Sequence, residues 1–208
     1  MAARPDRNLR GELLGAALAM LAEPQPVRVP SLRSIARACG VAPSAVYWHF
    51  PSGAELRSAV LDAAYANLVD AVEGALDRSG ASGEAALEVA GDAYIQWGLA
   101  HPGAYQLLFE GDDAIPESRA EAGPRLQQRI VGLARLAGDG GAFPAALLMW
   151  SLWHGIVSLR LHKPQWDWGM SPSQASARVV RAMTGPGRAG KPRNPSSPEA
   201  EAQTGTGD

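Results

Sequence analysis

The chain has a single cysteine, Cys39, among its 208 residues. One thiol excludes an internal disulfide and a cysteine-paired metal site. Long apolar runs are also missing, because the most apolar segment, residues 142–159, contains a histidine and two serines and ends against Arg160. No membrane-spanning helix is therefore expected. The N-terminus is polar and rich in arginine and does not read as a signal peptide. We predict a soluble cytoplasmic protein.

The sequence motifs of common enzyme classes are missing too. The four histidines, His49, His101, His154 and His162, show no metal-ligand spacing such as HExxH. The chain has no GxSxG, no phosphate-binding loop and no GxGxxG after a strand. Ser151 lies one helical turn before a histidine, but neither an orienting acid nor an oxyanion hole accompanies the pair. We predict no catalytic residue, no metal site and no cofactor.

Charged residues are few, at 19% of the chain, and they are unevenly distributed. Residues 1–60 contain seven arginines and four acidic residues, whereas residues 61–185 contain nine basic and fourteen acidic residues. This asymmetry favours an anionic partner that meets the N-terminal part of the chain.

Apolar residues recur at helical spacing along the chain, and no segment alternates as a strand would. The pattern and its glycine and proline boundaries predict helices over residues 9–21, 32–39, 43–50, 53–78, 84–100, 102–109, 124–137, 143–162 and 172–183. Glycine, proline and serine dominate from residue 185 onward, which predicts a disordered tail. The predicted fold class is all-α.

Residues 32–50 have the spacing of a helix-turn-helix. Ser31 is placed to cap the first short helix, and Gly40 lies where the turn needs a residue that tolerates positive φ. Ala36 is small enough for two helices to cross closely, and neighbouring apolar residues fill the wedge between them. In such a unit the second helix enters a major groove of DNA.

The second helix ends in four consecutive aromatic residues, Tyr47-Trp48-His49-Phe50. They span more than one helical turn and cannot all face one core. Phe50 and Val46, four residues apart, are the predicted buried pair. Tyr47 and His49 can donate to phosphates, Trp48 offers a flat surface to sugar or a thymine methyl, and short side chains near the helix start allow close approach to base edges. The predicted DNA contacts are Arg33, Pro43, Ser44, Ala45, Tyr47, Trp48 and His49. One alternative is that the four aromatic residues form a core cluster. Another is that the helix pair belongs to an enzyme, since similar pairs also occur there.

These features together resemble the tetracycline-repressor (TetR) family of bacterial transcriptional regulators over about residues 7–67. The resemblance rests on the first helix, the proline-rich link, the run from Ile35 to Phe50 with its Tyr-x-His-Phe ending, and the Ser52…Glu55 start of the fourth helix. Residues 101–109 and the Trp153-His154-Gly155 triplet resemble the branch whose C-terminal domain is named after a Trp-His-Gly (WHG) motif. Two positions depart from the family: Ala42 replaces the usual Ser or Thr cap, and Gly53 replaces a lysine that grips phosphate.

The resemblance implies three segments: a helix-turn-helix DNA-binding domain (7–67), a helical effector-binding and dimerisation domain (68–184) joined to it by a long helix, and a disordered tail (185–208). It implies a homodimer that binds a double-stranded DNA operator as a repressor and responds to a small apolar effector. The side chains that could line an effector cavity are Tyr94, Trp97, Tyr105, Phe109, Trp150, Trp153 and His154. For each of them, ordinary core packing is the alternative. A DNA-binding protein of the same fold without an effector, and an all-helical carrier or enzyme, are the alternatives.

Helix 143–162 is apolar on nearly all sides, so it is expected to be buried on more than one. A stripe of small and polar residues includes Ser151, Gly155, Ser158 and His162, and a bulky stripe includes Trp153. The resemblance places this helix and the last one in a four-helix dimer bundle, with the small stripe as a possible contact.

Overall fold

The computed structural model describes residues 8–22, 29–110, 122–136 and 142–184, and within these ranges it contains helices and no strand. The all-α prediction is confirmed. The predicted tail and most of the proline-rich link lie outside the described residues. The helices are α1 (Leu9–Ala19), α2 (Leu32–Ala38), α3 (Pro43–His49), α4 (Gly53–Ser79), α5 (Gly83–Ala100), α6 (Pro102–Phe109), α7 (Ala122–Leu136), α8 (Ala142–His162) and α9 (Pro172–Thr184).

Short-range signals set the helix boundaries of the N-terminal part. The Ser31 hydroxyl accepts a hydrogen bond from the backbone N–H of Ser34 at the start of α2, and the Ser52 hydroxyl does the same for the third residue of α4 at 3.1 Å. Gly40 has φ +64° in the turn between α2 and α3. Ala42 makes no side-chain cap, and Pro43 occupies the first turn of α3, where a missing N–H is harmless. The predicted helix-turn-helix is present.

The head, defined as α1 to α3 with the first turns of α4, has its own apolar core. The α1 side of this core includes Leu13 and Ala17, and α2 and α3 contribute Ile35, Val46 and Phe50, all almost completely buried. The predicted pairing of Val46 with Phe50 inside the core is therefore confirmed.

Helix α4 is 27 residues long and connects the head to the rest of the molecule. Its first turns pack on α1, and its remainder packs on α5, α6 and α7. Leu56 is buried on the head side, and Leu68 and Val72 are buried further along the same helix. Because one rigid helix carries both contacts, a shift of α4 against α6 moves the head as well.

Helix α5 lies at the centre of the body, which comprises α5 to α9 and the later turns of α4. It packs against α4, α7, α8 and α9. Gly91 on α5 faces the indole of Trp153 on α8 and the hydroxyl of Ser176 on α9, and both of these side chains are fully buried. The missing side chain at Gly91 therefore allows three helices to meet.

Replacing Gly91 with alanine should destabilise the protein by about 2 kcal/mol. A Cβ there would collide with Trp153 and Ser176, and forcing a methyl into a packed core costs about 1–3 kcal/mol, of which better helix propensity returns part. Gly132→Ala on α7 is the matched control, since a Cβ there meets no atom within 4 Å. Urea unfolding at equal protein concentration should separate the two variants. Equal stability would show that the three helices have room to relax.

Candidate functional site

The exposed side of α3 carries large side chains that the head does not use for packing. Trp48 is 88% exposed and Tyr47 is 51% exposed. Ser44, one turn earlier, is also exposed. Residues three and four apart share a helix face, so these three side chains form one surface. The surface combines a hydroxyl pair with a flat indole.

The other predicted DNA contacts lie around this surface. Pro43 and His49 are exposed at the two ends of α3, Ala45 is partly exposed, and Arg33 is exposed on α2. Phe50 is buried, and the Arg10 guanidinium lies 5.2 Å from the centroid of its ring. The aromatic run is thus divided between core and solvent, and the alternative of a wholly buried aromatic cluster is wrong for this helix.

A second uncovered surface lies on α8 in the body. Its apolar side chains are between 43% and 55% exposed. The members of this leucine face are Phe143, Leu147, Leu148, Leu152 and Leu159. Gly155 lies within it, and a Cβ there would meet no atom within 4 Å. Ser158 lies on the same side of α8, at helical spacing from Leu147, and donates to a carboxylate oxygen of Glu110 at 3.3 Å.

Five rings from four helices form an aromatic cluster in the body. Phe109, the last residue of α6, lies at its centre. Its ring centroid is 5.0 Å from those of Tyr105 and His154. It is 6.0 Å from the centroid of Tyr65 on α4 and 6.4 Å from that of Tyr94 on α5. The three tyrosines are at most 3% exposed.

The polar atoms of this cluster converge on His154. The Tyr105 hydroxyl lies 2.7 Å from the ring Nδ1 and 3.0 Å from the backbone carbonyl oxygen of this histidine. The Tyr94 hydroxyl lies 3.3 Å from the same Nδ1. Burial lowers the pKa of His154, while the nearby Glu110 carboxylate raises it by a smaller amount. The lowered pKa favours the neutral imidazole, whose Nδ1 is in hydrogen-bond contact with both hydroxyls.

Burial also raises the pKa of both tyrosines, so their hydroxyls remain protonated donors. The side chain of Trp150 opposes that rise at Tyr94, which places the indole beside its hydroxyl. The indole N–H is nevertheless buried without a hydrogen-bond partner.

Five of the seven residues predicted to line an effector cavity therefore come together: Tyr94, Tyr105, Phe109, Trp150 and His154. Trp97 lies apart, because its indole N–H donates to Asn67 Oδ1 at 2.7 Å and its ring stacks on His101. Trp153 is packed against Gly91, as described above.

Sequence reasoning missed two members of this region. Tyr65 interrupts the apolar face of α4, and its ring could have been noticed as the one aromatic side chain on that helix. Glu110 follows α6 and has no periodic pattern to mark it; its contacts with Ser158 and His162 depend on how α6 meets α8.

Two grooves at the molecular surface lie away from the aromatic cluster. One of about 770 Å³ runs between α5 and α9 and has mixed charge, with Glu88 and Arg181 on its walls. Another of about 420 Å³ lies between α4 and α5 beside Trp97. In the part of the chain that the structure describes, no three potential metal ligands lie together. None of its helices has the length and apolar character needed to cross a membrane.

Two family models match this chain. The model for bacterial regulatory proteins of the tetR family matches residues 13–60, and the model for the tetracyclin repressor-like C-terminal domain matches residues 87–183. The chain belongs to the TetR family. The TetR-type head coincides with α1 to α3 and the start of α4, and the TetR-type C-terminal match covers α5 to α9. TetR-family proteins are DNA-binding transcription regulators and not enzymes, so the predicted class of function is confirmed.

Solved structures share the fold of this TetR-family chain. A Rhodococcus sp. RHA1 protein of unknown function is 24% identical, with a TM-score of 0.73 over 88% of this chain and 97% of that one. A TetR-like transcriptional regulator from Rhodococcus sp. RHA1 is 18% identical, with a TM-score of 0.63 over 91% and 100%. The TetR-family regulator PfmR from Thermus thermophilus is 19% identical, with a TM-score of 0.60 over 83% and 96%. At these identities the structures confirm the fold. No curated protein is significantly similar in sequence.

Proposed function

We propose that this TetR-family protein is a cytoplasmic homodimeric repressor of the WHG branch, which a small apolar effector releases from a palindromic operator. The observation that carries the DNA-binding part is the surface of α3, where a tryptophan 88% exposed stands beside a half-exposed tyrosine. Exposing such large aromatic rings is unfavourable unless a partner covers them. The basic balance of residues 1–60 makes DNA the fitting partner.

The leucine face of α8 supports the homodimer. A monomer that left five large apolar side chains of one helix half exposed would have a patch typical of an interaction site. In a dimer with two-fold symmetry, the leucine face of one copy packs against the leucine face of the other. Two α3 helices then face the same side of the dimer and can enter successive major grooves.

The aromatic cluster supports an effector site in the body. It lies where α4, α5, α6 and α8 meet, and α4 leads directly to the head. An effector that changes the packing of α6 on α4 therefore changes the distance between the two heads of the dimer. Such an effector shifts the population away from the DNA-binding conformation only if it binds the other conformation more tightly.

Selection of bound sequences from random double-stranded DNA tests this function. We expect an inverted repeat whose half-site centres are about 10 bp, or a multiple of this, apart. Recovery of no enriched sequence by a folded dimer would refute operator recognition. If the operator is bound but no compound releases it, the protein acts constitutively, as the alternative without an effector holds.

Arg33→Ala should weaken operator binding and lower the slope of log affinity against log salt by about one unit. The reason is that an exposed arginine at the start of α2 is placed to neutralise one phosphate. Gel shifts over a series of salt concentrations measure the slope. Arg37→Ala on the last turn of α2, also exposed, is the charge-matched comparison. A changed preference at one base pair with an unchanged slope would instead assign Arg33 to a guanine.

A further inference from the structure

The centre of the aromatic cluster is occupied by a side chain that makes no use of its polar surroundings. Phe109 has only carbon atoms in its side chain, yet its ring is surrounded by Tyr65, Tyr94, Tyr105 and His154 at centroid distances between 5.0 and 6.4 Å. It is the last residue of α6 and is only partly buried. Its position at the end of a short helix and its greater exposure than the three tyrosines leave it a path out of the cluster.

One buried donor beside that ring has no acceptor, and a second is weakly held. The hydroxyls of Tyr94 and Tyr105 both point to one nitrogen, His154 Nδ1, at 3.3 and 2.7 Å. One ring nitrogen takes part in one full hydrogen bond, and its shorter contact is with Tyr105, so the Tyr94 hydroxyl is held more weakly. The indole N–H of Trp150 is buried without a partner. Buried donors of this kind gain when an acceptor reaches them.

The electrostatic surroundings favour an uncharged acceptor. The Glu110 carboxylate acts on both Tyr105 and His154 and disfavours further negative charge near them. In the residues that the structure describes, the cations found over aromatic rings are Arg10, Arg160 and Lys163, and they lie over Phe50, Trp168 and Trp166 rather than over a ring of this cluster. An anionic ligand would have to lose its hydration without gaining a counter-ion.

Resting on the proposed function, we infer that Phe109 is a built-in plug whose ring occupies the effector's place in the unliganded protein, and that the effector is an uncharged aromatic molecule with a hydrogen-bond acceptor, such as a ketone. The effector's ring replaces the phenyl ring between the tyrosines, and its acceptor takes a hydrogen bond from Tyr94 or Trp150. Displacement of Phe109 removes its edge contact with Tyr65, which ties the end of α6 to α4. Helix α4 carries the head, so the plug links effector binding to DNA release.

Removing the plug in the full-length protein tests the inference with simple probes. Phe109→Ala should open a cavity that binds acetophenone, because a cavity lined by fixed side chains accepts a small aromatic ligand. Calorimetry should show binding at least about tenfold tighter than to the wild-type protein, which must first expel its own ring. Acetophenone should bind about fivefold tighter than ethylbenzene, as for one added hydrogen bond, and benzoate should bind more weakly than either.

Three variants make the result interpretable. Leu13→Ala also truncates an apolar side chain to alanine, but in the core of the head, and this variant should bind no probe preferentially. Phe109→Ala combined with Tyr94→Phe should lose part of the preference for the ketone. Phe109→Leu keeps a larger side chain, so its affinity for acetophenone should lie between those of the wild type and Phe109→Ala. It replaces the alanine variant in the test if that variant does not fold.

A folded plug variant that binds no acetophenone, or a wild-type protein that binds it equally well, would overturn the plug. Equal binding of acetophenone and ethylbenzene would overturn the ligand class. Operator binding by the wild-type protein is measured separately, in the absence of probes. Its loss would count against the proposed function alone, whereas a bound operator with a failed probe series would count against the plug alone.

Discussion

Leu152→Glu should convert the protein from a dimer into a monomer and abolish operator binding at concentrations where the wild type is saturated. Leu152 lies in the middle of the leucine face on α8 and is 43% exposed in the single chain. In a two-fold dimer each copy would bury one glutamate close to the other. Burying unpaired charge costs several kcal/mol, so the dissociation constant should rise by about a thousandfold or more. A monomer presents one α3 helix and reaches only one half-site.

Sedimentation velocity at micromolar concentration measures this directly, together with a gel shift on the selected operator. Ala66→Glu, at an exposed position of α4, adds the same charge away from α8 and should leave both measurements unchanged. Helix content should also be unchanged in the monomer, since the substituted side chain is not part of the core of one chain. A stable Leu152→Glu dimer would mean that the leucine face meets something other than its own copy.

The helices of the head could be predicted because the residues that set their ends act over only a few positions of the chain. Gly40 adopts positive φ, Ser31 and Ser52 cap their helices, and Pro43 begins α3 without a side-chain cap before it. Each of these outcomes depends on local backbone geometry and needs no knowledge of the rest of the fold. The division of the aromatic run followed from helical period alone, with Val46 and Phe50 inside.

The rotation of α8 was not predictable from its sequence. The helix is apolar all round, so period alone does not tell which side meets α5 and which side is uncovered. The small stripe was a predicted partner surface, and it shares the uncovered side with the leucines: Ser151 and His162 are exposed there, while Ser158 and His162 also contact Glu110. The fit of Trp153 against Gly91 sets this rotation, and that fit depends on residues 62 positions apart in the chain.

Only part of the aromatic cluster could be predicted, because it too depends on how the helices are rotated against each other. Sequence can name aromatic residues on helices, but only the crossing of α5 and α8 decides that Tyr94 reaches His154 while Trp97 turns toward Asn67. The sequence alone does not decide between a core histidine and a pocket histidine at position 154. In the structure His154 is hydrogen-bonded and only partly buried, and its hydrogen-bond partners come from two other helices.

Trp48→Ala should lower operator affinity by about 2 kcal/mol or more, close to thirtyfold, without changing the stability of the free protein. The indole is 88% exposed, so its removal opens no cavity. Large aromatic side chains that become buried only in a complex are typical of positions that dominate binding. Tyr47→Phe, which removes one hydroxyl, should cost only about 1 kcal/mol.

Trp166→Ala is the matched control for this change, because it removes another exposed tryptophan, in the loop between α8 and α9. Its operator affinity should equal that of the wild type. Fluorescence anisotropy with operator and with unrelated DNA separates two modes of contact for Trp48. If the affinity falls for both DNAs, the indole contacts the sugar-phosphate backbone. If it falls for the operator alone, the indole contacts a base edge such as a thymine methyl. Unchanged affinity for both DNAs would remove α3 from the interface, because no other side chain of that helix presents as much free surface.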